Sequence, residues 1–365
     1  MLSRHLAAAA LGATALLVTG CATVAAHPPA EPVVRPEPAA PPPDERLALS
    51  DDALAEIVDP TLPGCSAAVG VRGEVLWAGA AGLADLTSGA PVTTQTLFDM
   101  GSVAKQFTAT AILMLQREGA LSLADPVGTH IDGLPAWGRT VTLDQLMHHT
   151  SRVRDYWIAL EDEGLGFSDP ADHGHIIRAI ARLRTLSPGT GYEYSNSNYV
   201  LLAEVVHRVS GMPLPQFLDE RIFTPLGLEM QLAPSLAGPD VALSYDDALT
   251  FQPPGWTAYG AIGIYTTPSE LARWGDQYRA GDIIRDDFAF GAAEQETGEL
   301  YAAGIDIESN GDLSHTGRFG GYVSTFTVTA DRQTTIAVMC NGHASPRFPL
   351  TDALREIWAP LDETP

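Results

Sequence analysis

Lysine is almost missing from this chain. Among 365 residues there is one, Lys105, and the other twenty side chains with a fixed positive charge are arginine. Arginine stays protonated at any working pH, whereas a desolvated lysine can give up its proton and act as a base. A lone lysine in an arginine-using chain asks for a chemical reason, and it stands three residues after a serine in Gly101-Ser102-Val103-Ala104-Lys105. At a helix start that spacing puts the hydroxyl and the amine on one face, a turn apart. Chance alone sets a serine there roughly one time in twenty, so the pair needs company before it means chemistry.

Other shortages narrow the classes further. No apolar run reaches the roughly 20 residues with which a helix crosses about 30 Å of hydrocarbon. Positive charge is scarce: the net charge is −24 and there is no basic stripe. Nucleic acid is not an expected partner, because neutralising phosphates takes clustered Lys or Arg. There are only three cysteines. Cys65 opens a strand-like run to Val71 and Cys340 closes another from Thr335. Apolar flanks make buried thiols the default, while an oxidising compartment permits a disulfide. His148-His149 and His173-Gly174-His175 lack third ligands, and no acidic cluster has metal-site spacing, so neither a metal nor another cofactor is expected.

What is present begins with an export signal over residues 1–21. Arg4 precedes an apolar, alanine-rich run from Leu6 to Val18, and Val18-Thr19-Gly20-Cys21 follows. The run is too short for a membrane span and has the form of a signal peptide. Small residues leading into a cysteine resemble the bacterial lipoprotein box, which implies lipidation of Cys21; the alternative is an ordinary signal peptide cleaved near Ala25 or Ala26. The lipoprotein reading implies a membrane partner through the anchor and a periplasm-facing location, with Ala22 after Cys21 resembling outer-membrane sorting. Residues 22–46 are proline-rich with few bulky apolar residues, an extended tether that cannot bury a core.

The globular part, 47–365, is expected to be one catalytic unit with two lobes. Strand patterns lie at both ends: Cys65–Val71 and Glu74–Ala78 around Arg72-Gly73, then Gly304–Ile307, Tyr322–Thr329 and Thr335–Cys340. Helical patterns fill the middle, starting at Ser102. Thr142-Leu143-Asp144-Gln145 has the form of a capping box, and Thr267-Pro268-Ser269-Glu270 is a helix start with proline at the first position. The simplest architecture is α+β: an antiparallel sheet from both chain ends (47–101 and 255–365), flanked by helices, with an inserted helical lobe (102–254). If the first and last long strands pair antiparallel, Cys65 and Cys340 become neighbours.

Two more polar signals join Ser102-x-x-Lys105. Tyr194-Ser195-Asn196 precedes a helix, and His315-Thr316-Gly317 ends a strand before the turn Arg318-Phe319-Gly320-Gly321. Taken singly, each reads as a helix cap or a strand end. In that chain order they resemble the penicillin-recognising serine hydrolases, in the branch of class C β-lactamases, D-Ala-D-Ala carboxypeptidases, D-aminopeptidases and esterases. The likeness runs from about Leu62 to Asn341 and takes in Leu146-Met147-His148-His149-Thr150-Ser151 and Tyr194 through Leu202.

The resemblance implies a β-lactamase/transpeptidase-like fold and an acyl-enzyme on Ser102, with Lys105 as its base. Tyr194 would shuttle the proton, a nearby ammonium favouring its phenolate. Asn196, His315, Thr316 and Gly317 would bind substrate, a small molecule or peptide. The backbone N–H groups of Ser102 and Arg318 would form the oxyanion hole, donors worth roughly 10²–10³ in rate each. The expected activity is cleavage of a small amide or ester, with a β-lactamase or a catalytically weak wall-binding lipoprotein as rivals. Two departures stand out. The family's usual glycine after His149-Thr150-Ser151 is Arg152, so the loop near Tyr156 is expected to differ in shape. Histidine replaces lysine in the third triplet, leaving Arg318 or a protonated His315 to supply positive charge for a substrate carboxylate.

Overall fold

The computed structural model describes residues 43–183, 191–233 and 236–359. The export signal, the Cys21 lipidation box and residues 22–42 of the tether lie outside the described residues. Helix α1 (Pro43–Ile57) opens the domain, four residues ahead of the boundary expected from composition. Proline is well placed at a helix start, where its missing N–H costs nothing. The helix is held down by Leu54 and Val58, both buried, and by Trp77 Nε1, which donates to Asp51 Oδ1 at 2.9 Å. No helix among the described residues is long and apolar enough to cross a membrane.

Strands β1 (Cys65–Val71) and β2 (Glu74–Ala81) make a hairpin over Arg72-Gly73. Both turn residues have positive φ, 53° and 84°, as tight hairpin turns require. The chain then runs through helices α2 (Lys105–Arg117), α3 (Leu143–Met147), α4 (Tyr156–Asp162), α5 (His173–Ile180), α6 (Asn196–Ser210) and α7 (Pro268–Gly275). It returns as β3 (Ala293–Glu294), β4 (Leu300–Tyr301), β5 (Asp306–Ile307), β6 (Leu313–Phe319), β7 (Tyr322–Val328) and β8 (Thr334–Cys340), and ends in α8 (Arg347–Trp358). The main sheet has the order β3-β4-β5-β6-β7-β8-β1-β2 and is antiparallel throughout. First and last long strands are thus neighbours, sixth and seventh of the eight, with Cys65 opposite Cys340. The two cysteines are fully buried, as their apolar flanks imply, but they are joined as a disulfide and are not free thiols.

Alternation on β8 shows how the sheet is covered. Ile336, Val338 and Cys340 face a small core with α1 and α8, while Ala337 and Met339 face the main core with the inserted helices. With both faces covered, every residue of β7 and β8 is buried. The mixed helices and antiparallel sheet are the α+β class expected, with the helical segment between the two halves of the sheet. The capping box at Thr142 is present in both its bonds, and Thr267 caps α7 with Pro268 at its first position.

Candidate active site

Ser102 sits in a single 3₁₀ turn (Gly101–Ala104) that leads into α2, so its own N–H lies in a first turn, where amides have no intrahelical partner. Two glycines bring this turn against β6. Gly101 has φ +56°, and a methyl on it would lie 2.5 Å from Arg318 N. A methyl on Gly317 would lie 2.0 Å from Met100 O and 2.2 Å from Ser324 Oγ. The third residue of the triplet is glycine because the nucleophile's turn occupies the space of a side chain. The Arg318 amide is thereby set beside Ser102. His315-Thr316-Gly317 lies inside β6 and not at its end, where it was expected; the turn itself is only Gly320-Gly321. Below the turn, Asp99 accepts from Gly101 N at 2.8 Å and Gly263 N at 3.3 Å, and burial raises its pKa to about 7.

Lys105 is wholly buried. Its Nζ lies 2.9 Å from Ser102 Oγ, 2.8 Å from Asn196 Oδ1 and 3.2 Å from the Ala261 carbonyl. Burial draws its pKa down from 10.5 to about 7, and the Asp155 carboxylate opposes this only in part. A neutral amine has two N–H donors and one lone pair. With Asn196 Oδ1 and the Ala261 carbonyl taking the two hydrogens, the lone pair faces the Ser102 hydroxyl.

Asn196 is the first residue of α6, after the extended Ser195. Asp155 sets its orientation: Oδ2 accepts from Asn196 N at 2.7 Å and from Asn196 Nδ2 at 2.9 Å, which turns Oδ1 toward Lys105. The same carboxylate caps α4 through Trp157 N at 3.2 Å. Burial raises the Asp155 pKa against the pull of these hydrogen bonds and of Lys105. Asp155→Ala is expected to cut the acylation rate roughly 10–100-fold with little change in KM, the size of one lost charge-assisted hydrogen bond. Pre-steady-state acylation of the purified variant checks this.

Tyr194 lies over Lys105, whose Nζ is 4.8 Å from the ring centroid. The residue is 37% exposed along the cleft, and what burial it has desolvates the phenol. That desolvation pushes the phenol well above its ordinary pKa, and the hydrogen bond with Ser102 offsets it only in part. The balance thus runs against the phenolate expected from a neighbouring ammonium. Behind it, His149 Nδ1 accepts from Ser195 N at 3.2 Å and Asn198 Nδ2 at 2.9 Å, and its ring lies 4.2 Å from that of Tyr194. Burial and the Lys105 charge hold His149 well below its ordinary pKa, so it packs as a neutral ring.

His315 is also neutral. Its Nδ1–H donates to the Thr316 carbonyl at 2.7 Å, and Nε2 accepts from the Tyr301 hydroxyl at 3.1 Å. Burial, with the Lys105 charge adding to it, lowers its pKa to about 3. Of the two sources of positive charge considered from the sequence, only Arg318 remains. It is joined by Arg347 from α8, and neither guanidinium has an ion-pair partner among the described residues. A cleft of about 380 Å³ gathers Ser102, Tyr194, His315, Thr316, Gly317 and Arg318 with Tyr192, Gln295, Tyr301, Asp306 and Arg347.

Arg152 has φ +61°, the left-handed conformation that glycine adopts freely and other residues at about 1–2 kcal/mol. The loop thus has the backbone a glycine would serve, with Arg152 paired to Glu193 at 3.3 Å. The other histidine pairs do not converge: His148 meets Asp144, His173 meets Glu204, and His175 meets Glu163. Asp155, Tyr301, Asp306 and Arg347 were not anticipated. For Asp155 the only local signal was its place before a helix, which reads as a cap.

The sequence profile of the Beta-lactamase family matches residues 51–357. A D-aminopeptidase of Cereibacter sphaeroides is 30% identical over 321 residues, 82% of this chain and 61% of that protein. Esterase EstB of Burkholderia gladioli is 36% identical over 200 residues, 50% of this chain and 49% of that protein. The chain thus spans less than two thirds of the length of either relative. Among solved structures, the octameric penicillin-binding protein homologue from Pyrococcus abyssi superposes with a TM-score of 0.71 at 25% identity, covering 86% of this chain and 76% of that one. A profile match across nearly all of the described domain, on this fold and around a serine–lysine pair, makes the chain a member of the Beta-lactamase family of serine hydrolases.

Proposed function

We propose that this chain cleaves a small amide or ester through an acyl-enzyme on Ser102, its substrate class being D-amino-acid peptides of the cell wall, in the manner of a D,D-carboxypeptidase or esterase. The observation that carries the reading is the buried Lys105 Nζ, its pKa drawn down to about 7, held 2.9 Å from Ser102 Oγ. D-aminopeptidase and esterase relatives support the substrate class.

Ser102 Oγ attacks the carbonyl carbon as its proton passes to Lys105 Nζ. The oxyanion is received by the backbone N–H groups of Ser102 and Arg318. As the bond to the leaving group breaks, the Tyr194 hydroxyl gives its proton to that group and regains one from Lys105. Water then attacks the acyl carbon, passing a proton to Lys105; the bond to Ser102 Oγ breaks, Oγ takes the proton back, and the acid leaves. Asn196 holds the Lys105 amine through Oδ1, and Thr316, exposed on β6, offers a hydroxyl to a substrate carboxylate. The chain acts, on this reading, as a periplasm-facing lipoprotein anchored through Cys21.

Intact mass spectrometry after exposure to a penicillin and to p-nitrophenyl acetate tests the proposal, with Ser102→Ala as control. A Ser102-dependent adduct or product is expected. A short-lived penicillin adduct points to β-lactamase turnover; a persistent one points to a peptidase trapped by an analogue. No adduct and no product with either compound overturns the proposal in favour of a wall-binding protein.

A further inference from the structure

Asp306 has no part in the chemistry above, yet it lines the same cleft as Ser102. It stands on β5, opposite Tyr301 on β4 and Ser314 on β6. Its one side-chain hydrogen bond is from Gln295 Nε2, 2.7 Å from Oδ1, and it has no ion-pair partner among the described residues. A half-buried carboxylate without a cation is costly. Burial accordingly raises its pKa to about 7, with Glu299 and Glu308 adding negative potential.

Its surroundings are aromatic. Tyr192 and Tyr194 line the cleft beside it, their rings 5.7 and 6.2 Å from that of Tyr301. Burial holds all three phenols above their ordinary pKa, so they present neutral rings and hydroxyl oxygens. Ring faces attract cations, and an unpaired carboxylate among several such rings is a chemical match for an ammonium group. The opposite polarity lies further along β6: Arg318 follows Ser314 by four residues, roughly 13 Å of strand at about 3.3 Å each.

The geometry points to Asp306, with Tyr192, Tyr194 and Tyr301 around it, as a cation subsite that selects substrates bearing an ammonium group. This rests on the hydrolase reading only in that the bound molecule is called a substrate. The subsite disfavours a carboxylate in the same place, and the Arg318–Arg347 end of the cleft accepts one.

Calorimetry on the Ser102→Ala protein tests the subsite without any turnover. Two matched pairs serve: D-alaninamide against N-acetyl-D-alaninamide, and choline against 3,3-dimethylbutanol. In at least one pair the charged member should bind about tenfold tighter than its neutral mate, and adding Asp306→Asn should erase that preference. The first pair places the ammonium in the acyl portion, the second in the leaving group. Asparagine keeps the oxygen that Gln295 binds, and an unchanged melting temperature confirms that the fold survives. Equal or undetectable binding in both pairs, or a preference that survives Asp306→Asn, overturns the subsite. Failure of the hydrolase reading is seen separately, as wild-type protein that does not turn over p-nitrophenyl acetate.

Discussion

Lys105→Arg lowers the acylation rate at Ser102 on the order of a thousandfold, within the range general-base catalysis contributes. The variant keeps a positive charge and the reach of a long side chain. What it loses is the ability to be neutral, since a guanidinium does not surrender its proton at working pH. Because Lys105 is fully enclosed, Lys105→Met, apolar and of similar length, separates loss of base from loss of fold: it should be equally inactive and still melt cooperatively. Wild-type acylation should rise as pH climbs through about 7, where the amine deprotonates. In Lys105→Arg that rise should vanish. Acylation by a penicillin, timed by quenched mass spectrometry across pH, reads both outcomes. Lys105→Arg within tenfold of wild type would remove Lys105 from the base role.

Removing the Cys65–Cys340 bond is the largest expected change in stability. The cross-link spans 275 residues of sequence, and the chain-entropy account gives a loop of that size about 5 kcal/mol, the upper end of what disulfides deliver. Both sulfurs are buried, so a reductant reaches them only after the sheet opens, and the double variant Cys65→Ala/Cys340→Ala is the cleaner comparison. Its melting temperature should fall by roughly 10–20 degrees, at about 2–4 °C per kcal/mol. A double variant within two or three degrees of wild type would mean that strand pairing alone holds β1 against β8.

The sequence was informative where function depends on local order. Ser102 and Lys105 share one helical turn, so their spacing is their geometry, and the glycines around them mark close approach. The pairing of the first and last strands, and with it the Cys65–Cys340 contact, follows from where strand patterns lie. Residues whose roles arise from tertiary packing were silent. Asp155 looks like a helix cap until α6 is laid beside it, and Tyr301 and Asp306 stand on two-residue strands too short to show alternation. For Tyr194 a motif signals the neighbouring charge but not the desolvation that opposes it. A neighbouring charge can be inferred from spacing, whereas the depth of burial that outweighs it belongs to the assembled fold.

Covalently, residues 65 to 340 are a closed loop with two tails, and each tail begins as a helix lying on the same face of the sheet. Trp358 Nε1 of the second tail donates to Ser50 Oγ of the first at 2.8 Å. A single break in the backbone anywhere within that circuit therefore divides nothing: the two stretches stay one molecule, still joined between β1 and β8. Ser102 and His315, more than two hundred positions apart along the backbone, lie on the same circuit, so both sides of the cleft remain tethered after one cut.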